Sequence, residues 1–154
     1  MSNQIQNPNN KDKYELIERT GNFGEEIIEF VQKLPKNFIN NPLVSQTVRS
    51  GTSIGANYME ADGAESKKDF KHKIAICKKE AKETMHRLRM IAKANFDKTE
   101  KCRALWKETH ELALMSLRAR NRAKQSIVKI HERVIEPEIA SSLITAPRND
   151  SINL

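Results

Sequence analysis

Little in this 154-residue sequence interrupts a helix or cross-links a chain. It holds five glycines, five prolines and two cysteines, and aromatic residues make up 5% of it. So few turn-forming residues leave scant material for the many reversals of a β-sandwich or barrel. Cys77 and Cys102 are too few for a disulfide scaffold and lack the close-spaced partners that hold zinc. No apolar run nears the ~18 residues that would cross a bilayer, and the opening MSNQIQNPNNKDK has no apolar signal region. These absences lead us to expect a soluble, cytoplasmic chain with reduced thiols.

Catalytic pairings are missing too. His72, His86, His110 and His131 stand singly, and Glu80 and Glu83 lack the repeated Glu-x-x-His of di-iron bundles. Cys77 falls on an apolar helical face, where a cysteine reads as a small core residue rather than a nucleophile. Neither an enzyme, a cofactor nor a metal site is expected.

What is present is helix-forming. Hydrophobic residues make up 38% and charged residues 31%, enough for one core in one domain. Residues 1–12 are polar and read as disordered. The first helix is expected from about Lys13 to Gln32, with Tyr14, Ile17, Ile27, Ile28 and Val31 inward. LPKNFINNP breaks it, and Asn41 as N-cap with Pro42 next predicts a second helix to about Ala61. Ser66 and Asp69 form a capping-box pattern that opens a third helix. Its residues Phe70, Ile74, Cys77, Ala81, Thr84, Leu88 and Ile91 alternate steps of four and three, a regular packing seam. A fourth helix is expected from about Lys98 to Val134, with Leu105, Leu112, Met115, Ala119, Ala123, Ile130 and Val134 as its core face. Pro137 should end it, leaving 136–154 as a flexible tail. The predicted fold is an all-α, up-down antiparallel four-helix bundle over 13–135.

The stretch SGTSIGANYMEADGAESKKDF holds three of the five glycines. A phosphate-binding loop needs a preceding strand and glycines closing in Gly-Lys-Ser/Thr. Here Gly51 and Gly55 are four apart without that lysine, and they fit a helix face where another backbone comes close. Arg49, Ser53, Asn57 and Glu60 line a different side of this helix. That polar stripe reads as an internal hydrogen-bonded network fixing register, or else as a site for a polar ligand.

These residues carry a resemblance. Arg49, Ser50, Ser53, Ile54, Gly55, Ala56, Asn57 and Glu60, followed by Ser66, Lys67, Lys68, Asp69 and Phe70, resemble the signature of the four-helix bundle family encoded in 23S ribosomal RNA intervening sequences. Ala61 stands where that family has glycine. The resemblance implies assembly into a homopentameric barrel. It also implies kinship with the accessory variability protein of diversity-generating retroelements, which binds RNA and a reverse transcriptase.

The net charge of +7 is uneven. Residues 1–63 carry 6 basic and 8 acidic side chains, 64–95 carry 10 and 4, and 96–135 carry 10 and 5. On the third helix Lys71, Lys78, Lys82 and Arg89 form a stripe about a quarter-turn from the apolar seam, with Arg87 placed to pair with Glu83. On the fourth, residues 112–131 contain no acid. There Arg118, Arg122, Lys129 and Arg133 share a stripe, and Arg120 and Lys124 flank the other side of the core face. Such clustering points to a polyanion, RNA or DNA, with an acidic partner protein as the alternative. Trp106, His110, Ala113 and Leu117 form a patch expected to be a subunit contact, or else to pack under the first or second helix.

Overall fold

The computed structural model describes residues 8–144, with side chains described for 14–122. Among the described residues every regular element is helical: α1 (Pro8–Gln32), α2 (Asn40–Asp62), α3 (Lys67–Ala94) and α4 (Thr99–Ile144), with one 3-10 turn, Phe96–Lys98, before α4. The connections are short, and the result is an up-down four-helix bundle. The chain divides into two compact units at Arg120 and Asn121. The first holds α1, α2, α3 and α4 as far as Arg120, and all packing described below belongs to it. The second contains the rest of α4.

The third-helix seam is as expected. Ile74, Cys77, Ala81, Thr84, Leu88 and Ile91 are buried, and Phe70 is half-buried against them. Ser66 caps α3 by accepting from the Asp69 N–H at 3.1 Å. On α4, Leu105 and Leu112 are buried and Met115 packs on the core, while the side chains of Ala123, Ile130 and Val134 lie outside the described residues.

Helix α1 corrects the sequence reading. Tyr14 and Ile28 are exposed, and the buried face is Leu16, Thr20, Phe23, Ile27, Phe30 and Val31, with Leu34 buried in the turn that follows. The expected set mixed two faces. The true one steps mainly by four and three and includes Thr20, whose hydroxyl donates to the Ile17 carbonyl at 2.9 Å and so needs no outside partner.

The glycines of α2 meet α1. A Cβ on Gly51 would lie 3.1 Å from a side-chain carbon of Ile27, and one on Gly55 would lie 3.3 Å from the Thr20 backbone oxygen. Gly24 faces Thr52 in the same contact. The ~1 kcal/mol that each glycine costs a helix interior is offset here by close packing of two backbones.

Polar side chains fix the ends. The expected Asn41 cap is absent: α2 starts at Asn40 after Ile39, without a side-chain cap. Asn37 holds the turn before it, its Oδ1 accepting from the N–H groups of Ile39 at 3.0 Å and Asn40 at 2.8 Å. The helix accordingly starts before Pro42. Asn40 and Asn95 are both buried and exchange two amide hydrogen bonds of 3.0 and 2.9 Å, joining the α1–α2 turn to the α3–α4 turn. Ser50 and Thr84 make a second buried polar link, at 2.9 Å, between α2 and α3.

Two boundaries differ from expectation. Helix α1 begins at Pro8, inside the segment expected to be disordered, because proline suits a first helical turn. Helix α4 continues through Pro137 to Ile144, although an interior proline removes an intrahelical hydrogen bond and crowds the preceding turn.

Glycines in different surroundings should respond oppositely to added side chains. Gly21 has no atom within 4 Å of a would-be Cβ. Gly21→Ala is therefore expected to raise stability by about 0.5–1 kcal/mol, and Gly55→Val to lower it by about 1–3 kcal/mol, in urea unfolding.

Candidate nucleic-acid interface

The bundle sorts its cations into those held by acids and those left over. Between α2 and α3, Arg49 bonds Glu83 at 3.3 Å and Lys73 pairs with Glu60. Lys79 also reaches Glu83, at 3.9 Å. Glu83, expected opposite Arg87, is thus taken by Arg49 and Lys79. Between α1 and α4, Arg19 grips Glu108 through two bonds of 2.6 and 2.8 Å, and Lys101 pairs with Glu26. The bond to Glu108 is the main reason the Arg19 pKa rises above its ordinary value. Within α4, Arg103 pairs with Glu100. Pairs this exposed add only ~0–1 kcal/mol each. Their larger effect is to occupy the acids.

The third-helix stripe is left over. Lys78, Lys82 and Arg89 are exposed and Lys71 is half-buried, and none makes an ion pair among the described residues. Lys71 to Arg89 spans about 27 Å of helix, the length of about eight steps of duplex DNA at ~3.4 Å each. Lys78 and Lys82, one turn apart, repel by a few tenths of a kcal/mol, and Glu80, between them in sequence, is buried and makes no ion pair among the described residues. With Ala75, Lys79 and Glu83 the two lysines line a shallow surface groove of about 320 Å³. Lys79 was not singled out from the sequence, although its position between Lys78 and Lys82 was a signal.

The fourth-helix cations are less uniform. Arg118 is exposed, but Arg120 is half-buried and its Nε is enclosed without an acceptor. Arg122 is exposed and belongs to the second unit. The side chains of Lys124, Lys129 and Arg133 lie outside the described residues.

The polar stripe on α2 is not an internal network. Ser53 donates to the Arg49 carbonyl at 2.6 Å and Asn57 to the Ser53 carbonyl at 2.8 Å, both back onto their own helix. Arg49 and Glu60 instead reach across to α3, so the stripe clasps two helices at the surface. The buried link comes from the neighbouring Ser50.

The Trp106 patch also sits differently. Trp106 stacks on His110, with ring centres 5.5 Å apart and planes 7° from parallel. It lines a cavity of about 260 Å³ with Leu88, Arg89 and Ala92 of α3. Ala113 packs against the core and Leu117 is half-buried, leaving Trp106 and His110 as the exposed part.

No group of acids, histidines or cysteines able to hold a metal ion occurs among the described residues. Burial pushes the Cys77 thiol up to about 12 and the Cys102 thiol to about 11, and the Cys77 Sγ donates to the Ile54 carbonyl at 3.5 Å. Both are packing residues. Among the described residues, no helix is long and apolar enough to cross a membrane.

A family model for the 23S rRNA-intervening sequence protein matches residues 12–118. The chain belongs to this family. A crystal structure of a protein of unknown function from the S23 ribosomal protein family of Bacteroides thetaiotaomicron VPI-5482 is similar, with 26% identity and a TM-score of 0.63. The likeness covers 71% of this chain and 98% of that one. No curated protein matches. In this 23S rRNA-intervening sequence protein the α3 stripe lies inside the family match, whereas Arg120, Arg122, Lys124, Lys129 and Arg133 lie beyond it.

The thiols give a test of the packing. In both, the folded pKa is raised, so their contribution to stability is complete below the ordinary thiol value of 9.0 and declines as pH climbs toward about 12. Native protein at mildly alkaline pH should leave both thiols unmodified by a disulfide reagent, and both should react in guanidinium. The melting temperature should fall across that alkaline interval, and fall less in Cys77→Ala/Cys102→Ala relative to its own neutral value.

Proposed function

We propose that this chain is a non-enzymatic, cytoplasmic nucleic-acid-binding bundle that contacts RNA or DNA phosphates through the α3 stripe. The observation that carries this is the sorting of charge: cations at the helix boundaries are matched by acids, while Lys71, Lys78, Lys82 and Arg89 are not. An unmatched row of this kind suits phosphates, which supply affinity with little sequence reading. Arg118, Arg120, Arg122, Lys124, Lys129 and Arg133 are further phosphate contacts in this proposal.

The working form in this proposal is a homo-oligomer, a pentamer, with Trp106 and His110 at the subunit contact. Repeating the stripe around a ring multiplies its field and its avidity. The family name and the resemblance to the accessory variability protein support a role beside an RNA-based element, such as the reverse transcriptase of a diversity-generating retroelement.

Reversing two stripe charges separates binding from folding. Lys78→Glu/Lys82→Glu should leave the melting temperature within a few degrees of wild type and weaken RNA binding at low salt. Its log-affinity against log-salt slope should be shallower by about 2. Unchanged RNA affinity in the folded variant would remove α3 as the interface and favour an acidic protein partner for the remaining basic surface.

A further inference from the structure

One end of the bundle carries two large aromatics in water. Phe38, in the turn between α1 and α2, is 88% exposed, and Phe96, in the turn between α3 and α4, is 90% exposed. Ile39 beside Phe38 is 49% exposed. The amide pair of Asn40 and Asn95 joins these two turns, placing both rings at the same end.

These turns are tied down. Asn37 accepts from two backbone N–H groups, the Asn41 N–H donates to the Asn37 carbonyl at 2.9 Å, and Asn40 Nδ2 donates to the Pro35 carbonyl at 2.9 Å. On the other turn, Asn95 Nδ2 donates to the Ile91 carbonyl at 3.0 Å, and the Thr99 hydroxyl donates to the Phe96 carbonyl at 2.8 Å. Each ring follows an asparagine whose side chain is spent on holding its turn. The aromatics are therefore presented on ordered backbone.

The surrounding charge is positive. Lys33, Lys36 and Lys93 are exposed and make no ion pair among the described residues. Asp97, next to Phe96 in sequence, is held by Lys98 at 2.7 Å. Two exposed aromatics at one end of the bundle, with unpaired lysines near them in sequence, match a partner offering flat π-faces joined by anions. A duplex hides its faces in the stack, whereas a single strand exposes them.

We propose that Phe38 and Phe96 are a stacking platform for unpaired bases, with Lys33, Lys36 and Lys93 holding the adjoining phosphates. This deepens the nucleic-acid reading and rests on it. The bundle would then hold phosphates of single or double strands along α3 and, in a single strand, unpaired bases at its tip. Stacking is sequence-tolerant and adds affinity without releasing counterions, so it is separable from the stripe by its salt behaviour.

The test titrates full-length protein against a fluorescein-labelled poly-uridylate strand and an RNA duplex of matched length, reading anisotropy. Phe38→Ala/Phe96→Ala should lose about tenfold or more on the single strand, keep its affinity for the duplex and keep the wild-type salt slope. Phe38→Leu/Phe96→Leu, which keeps an apolar surface without a ring, should lose nearly as much, and Phe38→Tyr/Phe96→Tyr should retain binding. Since both rings are solvent-exposed, circular dichroism melts of these variants should overlay wild type. Lys78→Glu/Lys82→Glu should weaken both probes. If that stripe variant weakens both while the alanine variant matches wild type on the single strand, the platform is wrong and the nucleic-acid reading stands. Full retention of strand binding by the leucine variant also overturns stacking. Loss of sedimentation with anionic vesicles in the alanine variant, with strand affinity unchanged, would make the tip a lipid contact instead. Failure of wild type to bind either probe at low salt overturns both proposals together.

Discussion

Two buried amides, Asn40 and Asn95, exchange hydrogen bonds at the point where both helical turns meet. A buried amide left unpaired costs about 1–3 kcal/mol, so a slide of one hairpin past the other is opposed by two such penalties at once. Apolar seams alone tolerate slippage by a turn, because leucine and isoleucine make similar contacts in the next register. The reciprocal amide pair does not. From that fixed end the close approach of α1 and α2 at Gly51 and Gly55, and the Ser50–Thr84 link between α2 and α3, follow in register.

Register in turn decides which charges meet. With α2 set against α3, Arg49 falls opposite Glu83 and Glu60 opposite Lys73. With α1 set against α4, Arg19 reaches Glu108 and Lys101 reaches Glu26. Each pair adds little stability in water, yet together they engage Glu26, Glu60, Glu83 and Glu108 at the helix boundaries. Lys71, Lys78, Lys82 and Arg89 lie about a quarter-turn from the apolar seam, where no facing helix brings a carboxylate to them. The unmatched basic row is thus a consequence of the packing, and the same fixed end carries the exposed Phe38 and Phe96.

Much of this was legible in the sequence where one signal acted alone. The strict four-three steps from Phe70 to Ile91 and the Ser66 cap located the start of α3 and its buried seam. The family signature around Gly55 and Ser66 pointed to the bundle. Reading failed where signals competed. In α1, Tyr14 and Ile28 satisfied helical spacing from the wrong face, and Thr20 was passed over as polar although its hydroxyl is satisfied within its own helix. Asn41 had the expected neighbour in Pro42, but closure of the turn around Asn37 starts α2 at Asn40, ahead of both. The polar stripe from Arg49 to Glu60 was correctly placed on one face, yet its burial depended on where α3 lay, which spacing along α2 alone does not encode. Phe38 and Phe96 were overlooked because they interrupt no pattern; a large ring in an asparagine-rich turn with no helical partner was the available sign.

The central claim is that the unmatched α3 cations meet phosphates. Equilibrium binding of the purified wild-type protein to a structured RNA across a salt series tests it most directly. With four cations engaged per subunit, log affinity should fall linearly with log salt at a slope of about −3 to −4. A flat dependence, or no binding at low salt, would contradict the account.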